Sequence, residues 1–387
     1  MRRRESPPHG RAMRFLHTAD WHLGRTLGGH SLREDQDHLL GGQFLDMVRD
    51  TAPDAVLIAG DVFDRAVPAA EAVELLDDIL HRIIIGLRVP VVMIPGNHDE
   101  ARRLSFGARL LAAGGLHIAD SPLGRATTFG DVTVVGCGYA SPLMLAQKLG
   151  NGAEVADHDA GFGLLAPLLH GLCPAGGRRL LVAHAFVAGG SECESERSLS
   201  VGGTGQVGAA RFAGFDYVAL GHLHRPQTLM GGRLRYSGSP LAYSSSEAGQ
   251  AKSVTLLELE ADGTCRIEEL PLSPRRQLRL VSGSFAELRE APAAGRDDFV
   301  VLTLTDPRPV PEAQRRLAEV FPHIIGFGYA GQERSAGPLS GPGVRARAIR
   351  PIELFAEFHA AMRDTPLPPE ARPVLAEAIA AAEAAEA

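Results

Sequence analysis

Short runs rich in Val, Ile and Leu recur along the first two thirds of the chain. Such runs, when bounded by turn residues, are typical of strands that a sheet buries on both faces. The predicted strands lie at residues 14–19, 55–59, 89–94, 132–137, 180–185 and 217–220.

Several intervals between these strands carry the spacing of amphipathic helices. Residues 31–50 place five apolar side chains on one stripe: Leu39, Leu40, Phe44, Leu45 and Val48. A second stripe follows Pro68, a residue suited to the first turn of a helix, and contains Val73, Leu76, Ile79 and Ile83. Because strands and helices alternate, the chain is predicted to form an α/β protein with layered sheets.

After Gly221 the pattern changes to β-structure. Residues 233–236, 253–260 and 264–270 alternate polar with apolar positions and are separated by Gly or Asp-Gly turns. We expect these strands to complete a second sheet that packs on the first.

A stretch at 272–276 that contains Pro, Ser and Arg interrupts this pattern. A smaller α/β unit follows it, with strands at 277–281 and 299–303 and a helix at 312–321. Four segments are therefore predicted: a disordered extension at 1–12, a main domain at 13–272, a smaller domain at 273–345 and C-terminal helices at 346–387.

The C-terminal segment is predicted to form two helices, at 352–362 and 373–385, after a connection rich in Gly, Ser and Pro at 331–343. The last helix carries a narrow apolar stripe of Val374, Leu375, Ala378 and Ile379. Two interpretations stay open for it, docking on a partner helix or a frayed, solvated tail.

Composition narrows the class of protein. A length of 387 residues and an apolar fraction of 45% predict more than one domain with a sizeable core. The basic start lacks a following apolar stretch, and no apolar run is long enough to cross a bilayer, so we expect a cytoplasmic protein without a membrane span. The four cysteines form no Cys-x-x-Cys pair, which argues against a disulfide framework or a cysteine metal site.

The formal net charge of −7 weakens any prediction that this chain binds nucleic acid alone, because phosphate contacts come from Lys and Arg. It does not exclude DNA. Bound cations neutralise acidic groups at a metal site, and a basic partner subunit can supply phosphate contacts.

Side chains that bind divalent metals follow several of the predicted strands. These candidates are Asp20, His22, Asp61, Asn97, His184, His222 and His224. Imidazole and carboxylate together suit a divalent transition metal, and the carboxylate of Asp61 has two oxygens with which to bridge two ions. Open α/β sheets place their sites at the carboxyl ends of strands, so we expect a two-metal site there.

Each motif is weak evidence when it is taken alone. His184 in isolation would be an ordinary buried histidine more often than a ligand. In a regular strand His222 and His224 would face opposite ways, so both can bind metal only on a loop, which Gly221 permits. The alternative for Asn97-His98-Asp99 is a turn in which Asp99 caps a helix.

In chain order the motifs are Asp-x-His, Gly-Asp-x-x-Asp, Gly-Asn-His-Asp, His and Gly-His-x-His. This order resembles the calcineurin-like metallophosphoesterases. The resemblance implies a four-layer α/β/β/α sandwich, with a smaller α/β capping domain and C-terminal helices after it. Residues 17–24, 60–64 and 200–227 look more closely like the nuclease subunit of a bacterial ATPase–nuclease complex within that family.

The resemblance also implies roles for individual residues. One metal is held by the residues Asp20, His22, Asp61 and His224, and the other by the residues Asp61, Asn97, His184 and His222. The favoured ion is Mn²⁺, although the ligand chemistry alone also allows iron or zinc. His98 is expected to act as a catalytic group outside the metal shells, oriented by the carboxylate of Asp64. Arg65 contacts either a phosphate or only solvent.

By the same resemblance the activity is 3′→5′ exonuclease action on duplex DNA and endonuclease action on single strands and hairpins, in DNA repair, recombination and replication. Its implied partners are DNA, a coiled-coil ATPase that the C-terminal helices bind, and a second copy within a heterotetramer. The chain lacks a Gly-x-x-x-x-Gly-Lys-[Ser/Thr] loop, so any ATP dependence must come from the partner.

Two other functions compete with the nuclease. One is a phosphodiesterase or phosphatase for a small molecule or phosphoprotein, and the other is a non-catalytic, metal-stabilised scaffold that recruits an ATPase. The extra region after Ser273 favours the nuclease over a small-substrate enzyme. His98 argues against a scaffold, which has no need of a non-ligand histidine at that place.

Overall fold

The computed structural model describes residues 10–150, 154–196, 199, 205–291 and 294–330, together with 367–368, 371–373 and 375. The chain divides into two compact units, Met1–Phe327 and Gly328–Ala387. The predicted helix at 352–362 lies outside the described residues, and of the one at 373–385 only 373 and 375 are described, both helical.

The strands follow closely those expected from the apolar runs. In chain order they are β1 (Met13–Thr18), β2 (Thr26–Leu27), β3 (His30–Ser31), β4 (Ala55–Ala59), β5 (Val91–Ile94), β6 (Leu116–Ile118), β7 (Arg125–Phe129), β8 (Val132–Cys137), β9 (Arg178–His184), β10 (Phe186–Val187), β11 (Gln206–Val207), β12 (Tyr217–Gly221), β13 (Gln227–Leu229), β14 (Leu234–Tyr236), β15 (Lys252–Leu259), β16 (Cys265–Leu272), β17 (Leu278–Gly283), β18 (Phe299–Leu304) and β19 (Ile324–Tyr329).

The α-helices are shorter than the periodicity suggested. They are α1 (Arg33–Gln36), α2 (Phe44–Thr51), α3 (Ala70–His81), α4 (Ala101–Leu104), α5 (Ala108–Leu111), α6 (Pro142–Leu149), α7 (His158–Gly171), α8 (Phe285–Arg289) and α9 (Ala313–Leu317). The predicted helix at 31–50 is one continuous segment whose middle, Asp37–Gln43, is π-helical. The predicted helix at 312–321 is shorter in the structure, Ala313–Leu317, and turns follow it at 318–320.

Two mixed sheets form the main body of the first unit. One has the strand order β16-β15-β1-β4-β5-β6, and the other has the order β13-β14-β12-β9-β8-β7. Strands β1, β4, β5 and β6 run parallel, as do β8, β9, β12 and β14. The carboxyl ends of β1, β4 and β5 therefore lie at one edge of their sheet, and those of β9 and β12 at one edge of the other.

The two sheets divide the apolar core into three layers, and successive side chains of a strand point into different layers. In β4, Leu57 points into the layer between the two sheets, whereas Val56 and Ile58 pack against the layer that contains Phe44 and Ile79 of the helices. In the other sheet Leu181 faces a third layer with α7, which contributes Leu165 and Leu169. The order is thus helix, sheet, sheet, helix, and the predicted four-layer α/β/β/α sandwich is confirmed.

The region after residue 272 adds a three-stranded sheet in the order β17-β18-β19. Arg276 lies buried at its start and pairs with Asp35 of α1. At the opposite end of the main domain, the carbonyl oxygen of Arg11 accepts a hydrogen bond from Arg178 at 3.0 Å, so the fold includes residues ahead of Met13. The predicted extension is otherwise outside the described residues, and the boundary at 272 stays a prediction.

The four cysteines are free, and Cys137 is buried. Within the described ranges, every helix is too short or too polar to cross a membrane.

Candidate metal centre

The seven predicted ligands come together where the two sheets meet. Asp20 and His22 follow β1, Asp61 follows β4, and Asn97 follows β5. His184 is the last residue of β9, and the segment that carries His222 and His224 follows β12. Each belongs to the parallel part of its sheet, so strand direction alone brings these loops to one place.

Unusual backbone geometry turns the side chains into the site. Four of the predicted ligands have positive φ: Asp20 at 54°, His22 at 45°, Asp61 at 46° and His222 at 104°. This region is sparsely populated by residues with a Cβ atom, and such strain clusters at functional sites. It explains how Asp20 and His22, two residues apart, both reach the same cluster.

Hydrogen bonds between main chains hold the loops after β1 and β4 against each other. The amide of Asp20 donates to the carbonyl of Gly60 at 3.0 Å, and the amide of His22 donates to the carbonyl of Asp61 at 2.9 Å. The strained conformations are thus fixed by the fold itself.

Two glycines allow the sheets to approach. A Cβ atom at Gly221 would collide with the carbonyl oxygen of Ala59, in the facing sheet. A Cβ atom at Gly60, where φ is 89°, would collide with the imidazole of His184. Gly221, which was expected to permit a loop, thus also lets the two sheets approach, and Gly60 leaves room for the ring of His184.

The carboxylate of Asp61 lies at the centre. Its Oδ1 accepts a hydrogen bond from the amide of His98 at 2.8 Å. Its Oδ2 lies 3.7 Å from Nε2 of His22 and 3.6 Å from Nε2 of His184. One carboxylate oxygen therefore faces histidines from both sheets, which is the position expected of a bridging ligand.

The other ligand atoms are spaced as donors around a common ion. Nε2 of His22 and Nε2 of His224 are 3.1 Å apart. Oδ1 of Asn97 lies 2.8 Å from Nε2 of His184 and 3.3 Å from Nδ1 of His222. Donor atoms that share one divalent ion lie on the order of 3 Å from each other, so these separations would suit ligands of such an ion.

Three groups of potential ligand atoms each lie within 4.8 Å of one another: Asp20 with His22 and His224; Asp20 with Asp61 and His184; and His22 with Asp61 and His98. The last group includes His98, which was expected to lie outside the metal shells. The division into two shells is untested by these distances and stays a prediction.

An unsatisfied buried atom tests whether the residues fit a cation. Oδ2 of Asp20 is buried without a hydrogen-bond partner among the described residues. Burial raises the pKa of Asp20 well above its usual range, and the charge of Asp61 adds to this effect. Burial also lowers the pKa values of His22 and His222, which leaves neutral rings with lone pairs. A divalent cation satisfies both needs, so the residues fit the group.

His98 and Asp64 interact differently from the expectation. Nδ1 of His98 lies 2.9 Å from the main-chain carbonyl oxygen of Asp64, which accepts its hydrogen bond. The carboxylate of Asp64 instead pairs with Arg25 at 3.0 Å, and its Oδ1 is 3.6 Å from Nδ1 of His22. The expected contact between carboxylate and His98 is therefore wrong, because the nearby guanidinium takes the carboxylate.

Asp99 is not a helix cap, and this alternative is also wrong. Its carboxylate accepts hydrogen bonds from the amides of Val62, Phe63 and Gly96, at 2.9 to 3.0 Å, and so connects the loops after β4 and β5. Burial raises the pKa of Asp99 to about 7. The side chain that caps α4 is that of Glu100.

Gln36 supports the site and was missed by sequence reasoning. Its amide donates to the carbonyl oxygens of Trp21 at 3.1 Å and His22 at 2.8 Å, and its Oε1 accepts from the amide of Gly24. The only signal in the sequence was the position of this glutamine within the predicted helix. Periodicity alone does not distinguish a buried glutamine from a solvated one.

Further missed residues lie behind His224. Ser195 contacts its imidazole, Glu196 accepts from its amide, and Lys252 donates to its carbonyl oxygen. They come from two segments distant in sequence, so only the folded chain brings them together. By contrast Arg65, 79% exposed, lies 3.8 Å from the Asp64 carboxylate and is placed mainly in solvent.

Comparison with known proteins gives matches along most of the chain. The model of the calcineurin-like phosphoesterase family matches residues 13–226, and that of the SbcD C-terminal domain, described as the type 5 capsule protein repressor C-terminal domain, matches residues 274–363. A dimetal phosphatase from Danio rerio aligns over 66% of this chain and 95% of its own at 14% identity and a TM-score of 0.42. The first match covers more than half of the sequence, and its range ends just beyond His224. The chain therefore belongs to the calcineurin-like metallophosphoesterases, as a metal-dependent phosphoesterase of the SbcD nuclease-subunit type.

Proposed function

We propose that this protein is the Mn²⁺-dependent nuclease subunit of an SbcCD-type complex, acting on DNA in the cytoplasm during repair and recombination. The observation that carries the proposal is the position of Asp61, whose Oδ2 faces His22 of one sheet and His184 of the other at under 4 Å. Such an arrangement suits a pair of cations that share one carboxylate.

In this proposal one ion is held by Asp20, His22, Asp61 and His224. The other is held by Asp61, Asn97, His184 and His222. Bound there, the two ions supply Lewis acidity toward a phosphodiester and toward water. The protein contributes a preformed donor set, because main-chain hydrogen bonds already fix the loops that carry Asp20, His22 and Asp61.

His98 is proposed to donate a proton to the leaving oxygen. The carbonyl oxygen of Asp64 can only accept, so Nδ1 of His98 carries a hydrogen. When the ring is protonated, Nε2 is a second donor, and it lies 4.0 Å from Oδ2 of Asp61, at the site. In this proposal the main-chain carbonyl of Asp64 orients His98, while the carboxylate of Asp64 pairs with Arg25.

DNA as the substrate is supported by the second family match. The SbcD-type region at 274–363 follows the phosphoesterase domain, and a small ester needs no such additional domain to cover it. The 3′→5′ polarity on duplexes, the endonuclease action on single strands and hairpins, and an SbcC-type ATPase bound by the C-terminal helices are proposed on the same family basis.

A homodimer is proposed within this complex. Phe106 and Leu110, in the segment that follows the Asn97-His98 loop, are 85% and 82% exposed. Large apolar side chains left in water so close together in sequence are typical of an interface. Changing both to Glu should convert a dimer to a monomer in analytical ultracentrifugation, and an unchanged sedimentation coefficient would contradict this interface.

Digestion of end-labelled DNA tests the function. The protein is incubated with Mn²⁺, with and without the ATPase partner, on duplexes labelled at either end and on hairpins. A small phosphodiester serves as the comparison substrate. Release from the 3′ end and hairpin cleavage are expected, whereas hydrolysis of the small ester alone would reject the nuclease.

A further inference from the structure

A buried ion pair lies directly behind His224. Glu247 is 0% exposed and Lys252 is 5% exposed, and Nζ of Lys252 donates to Oε2 of Glu247 at 2.5 Å. Lysine and glutamate are almost never buried so completely unless they are paired, because removing both charges from water is costly. The sequence holds only one other lysine, Lys148. The pair therefore has a high cost of desolvation, and it lies next to a predicted metal ligand.

The pair reaches His224 from two sides. Nζ of Lys252 also donates to the carbonyl oxygen of His224 at 2.9 Å. On the other side Ser195 lies between the pair and the ring: its Oγ is 2.5 Å from Oε1 of Glu247 and 2.7 Å from Nδ1 of His224. The direct separation of Glu247 from Nδ1 is 3.6 Å, too long for a hydrogen bond, so the serine hydroxyl makes the connection.

The available hydrogens fix the donor and the acceptor in each hydrogen bond from Lys252 to His224. The ammonium of Lys252 can only donate, and the carboxylate of Glu247 that faces it can only accept. The hydroxyl of Ser195 must therefore donate its single hydrogen to Glu247. Its oxygen can then only accept from the ring of His224, so Nδ1 carries the hydrogen and Nε2 is left with a lone pair.

That lone pair points into the metal centre, because Nε2 of His224 lies 3.1 Å from Nε2 of His22. We propose that Ser195, oriented by Glu247 and Lys252, is a positioning residue that holds His224 in the Nδ1–H tautomer and presents Nε2 to a divalent cation. The inference rests on the two-metal site of the proposed function and extends it to three residues outside the ligand set.

Titration with Mn²⁺ alone tests the inference without any nucleic acid. The full-length protein, stripped of metal, is titrated while the electron paramagnetic resonance signal of free Mn²⁺ is recorded. For Ser195→Ala we expect one of two Mn²⁺ to bind about 10- to 100-fold more weakly, as is usual when a partner of a ligating histidine is lost. Ser195→Thr, which keeps the hydroxyl, should restore the affinity.

Ser244→Ala is the matched control. Ser244 donates to the same Oε1 of Glu247, at 3.1 Å, but reaches no atom of His224 in the described contacts. Equal Mn²⁺ affinity for wild type and Ser195→Ala, or an equal loss in Ser244→Ala, would overturn the inference. If Ser195→Ala fails to give a normal circular dichroism spectrum, Ser195→Thr and Glu247→Gln are titrated instead: the first should bind as wild type and the second more weakly, and a wild-type isotherm for Glu247→Gln would overturn the inference.

The outcome of the DNA assay is independent of the outcome of the Mn²⁺ titration. A wild-type protein that binds two Mn²⁺ and leaves DNA intact would reject the nuclease, and the effect of Ser195→Ala on Mn²⁺ affinity would still decide the inference.

Discussion

Gly221→Ala should loosen the junction between the two sheets. The added Cβ meets the carbonyl oxygen of Ala59, a main-chain atom that cannot rotate away. Since carbon and oxygen repel each other well inside about 3.5 Å, the strands β4 and β12 must separate by on the order of 1 Å. Overpacking of this kind costs about 1–3 kcal/mol, and we expect the upper end because the obstacle is backbone.

The measurement is urea unfolding followed by tryptophan fluorescence. The chain has one tryptophan, Trp21, which is fully buried beside His22, so the signal reports on this domain. We expect the free energy of unfolding of the metal-free protein to fall by about 3 kcal/mol in Gly221→Ala, with an unchanged dependence on urea concentration.

Gly42→Ala is the control for this substitution. Gly42 lies in the π-helical segment Asp37–Gln43, and a Cβ atom there meets nothing within 4 Å. The same chemical change should stabilise the protein by about 0.5–1 kcal/mol, because alanine loses less backbone entropy than glycine. A Gly221→Ala protein as stable as wild type would refute the argument that contact between the sheets requires glycine here.

Three further outcomes are expected. Asp61→Ala should abolish binding of both Mn²⁺ ions in equilibrium titration, and retention of one ion at wild-type affinity would contradict the bridging role. His98→Ala should keep both ions and lose about 10²–10⁴-fold in turnover on labelled DNA, whereas loss of metal would mean that His98 is a ligand. His17, buried between Tyr217 and the carbonyl of Leu220, has its pKa lowered to about 3 by burial. Its contribution to stability is therefore complete above pH 6.5 and is lost as the pH falls toward 3; His17→Gln should flatten this part of the stability profile by about 1 kcal/mol per pH unit, measured in urea.

The main features of the fold could be predicted because they depend on local pattern. The apolar run at 55–59 and the mostly apolar run at 132–137 became strands with those bounds, and both are buried throughout, as expected of strands covered on both faces. The meeting of the predicted ligands at one place then followed from the direction of the parallel strands. Periodicity overestimated the length of the helix at 312–321, which is α-helical only over Ala313–Leu317, and it did not distinguish the π-helical turns of Asp37–Gln43 from α-helix.

The contacts between side chains could not be predicted in the same way. Asp64 offers both a main-chain carbonyl and a carboxylate, and the sequence does not show that His98 meets the carbonyl while the carboxylate pairs with Arg25. Glu247 and Lys252 resemble ordinary residues of a polar turn and a strand start. Their role depends on burial behind His224, which is a property of tertiary packing and leaves no mark on local sequence.

The positive φ angles at Asp20, His22, Asp61 and His222 have a consequence for how the site is maintained. Each such conformation costs of order 1 kcal/mol or more, which the rest of the fold must offset. Glycine at any of these positions would relieve that cost and remove the ligand, so selection for stability alone would erode the centre. The strain at these four positions is therefore a cost that stability alone does not require, and it marks the predicted ligands in the backbone without knowledge of the substrate.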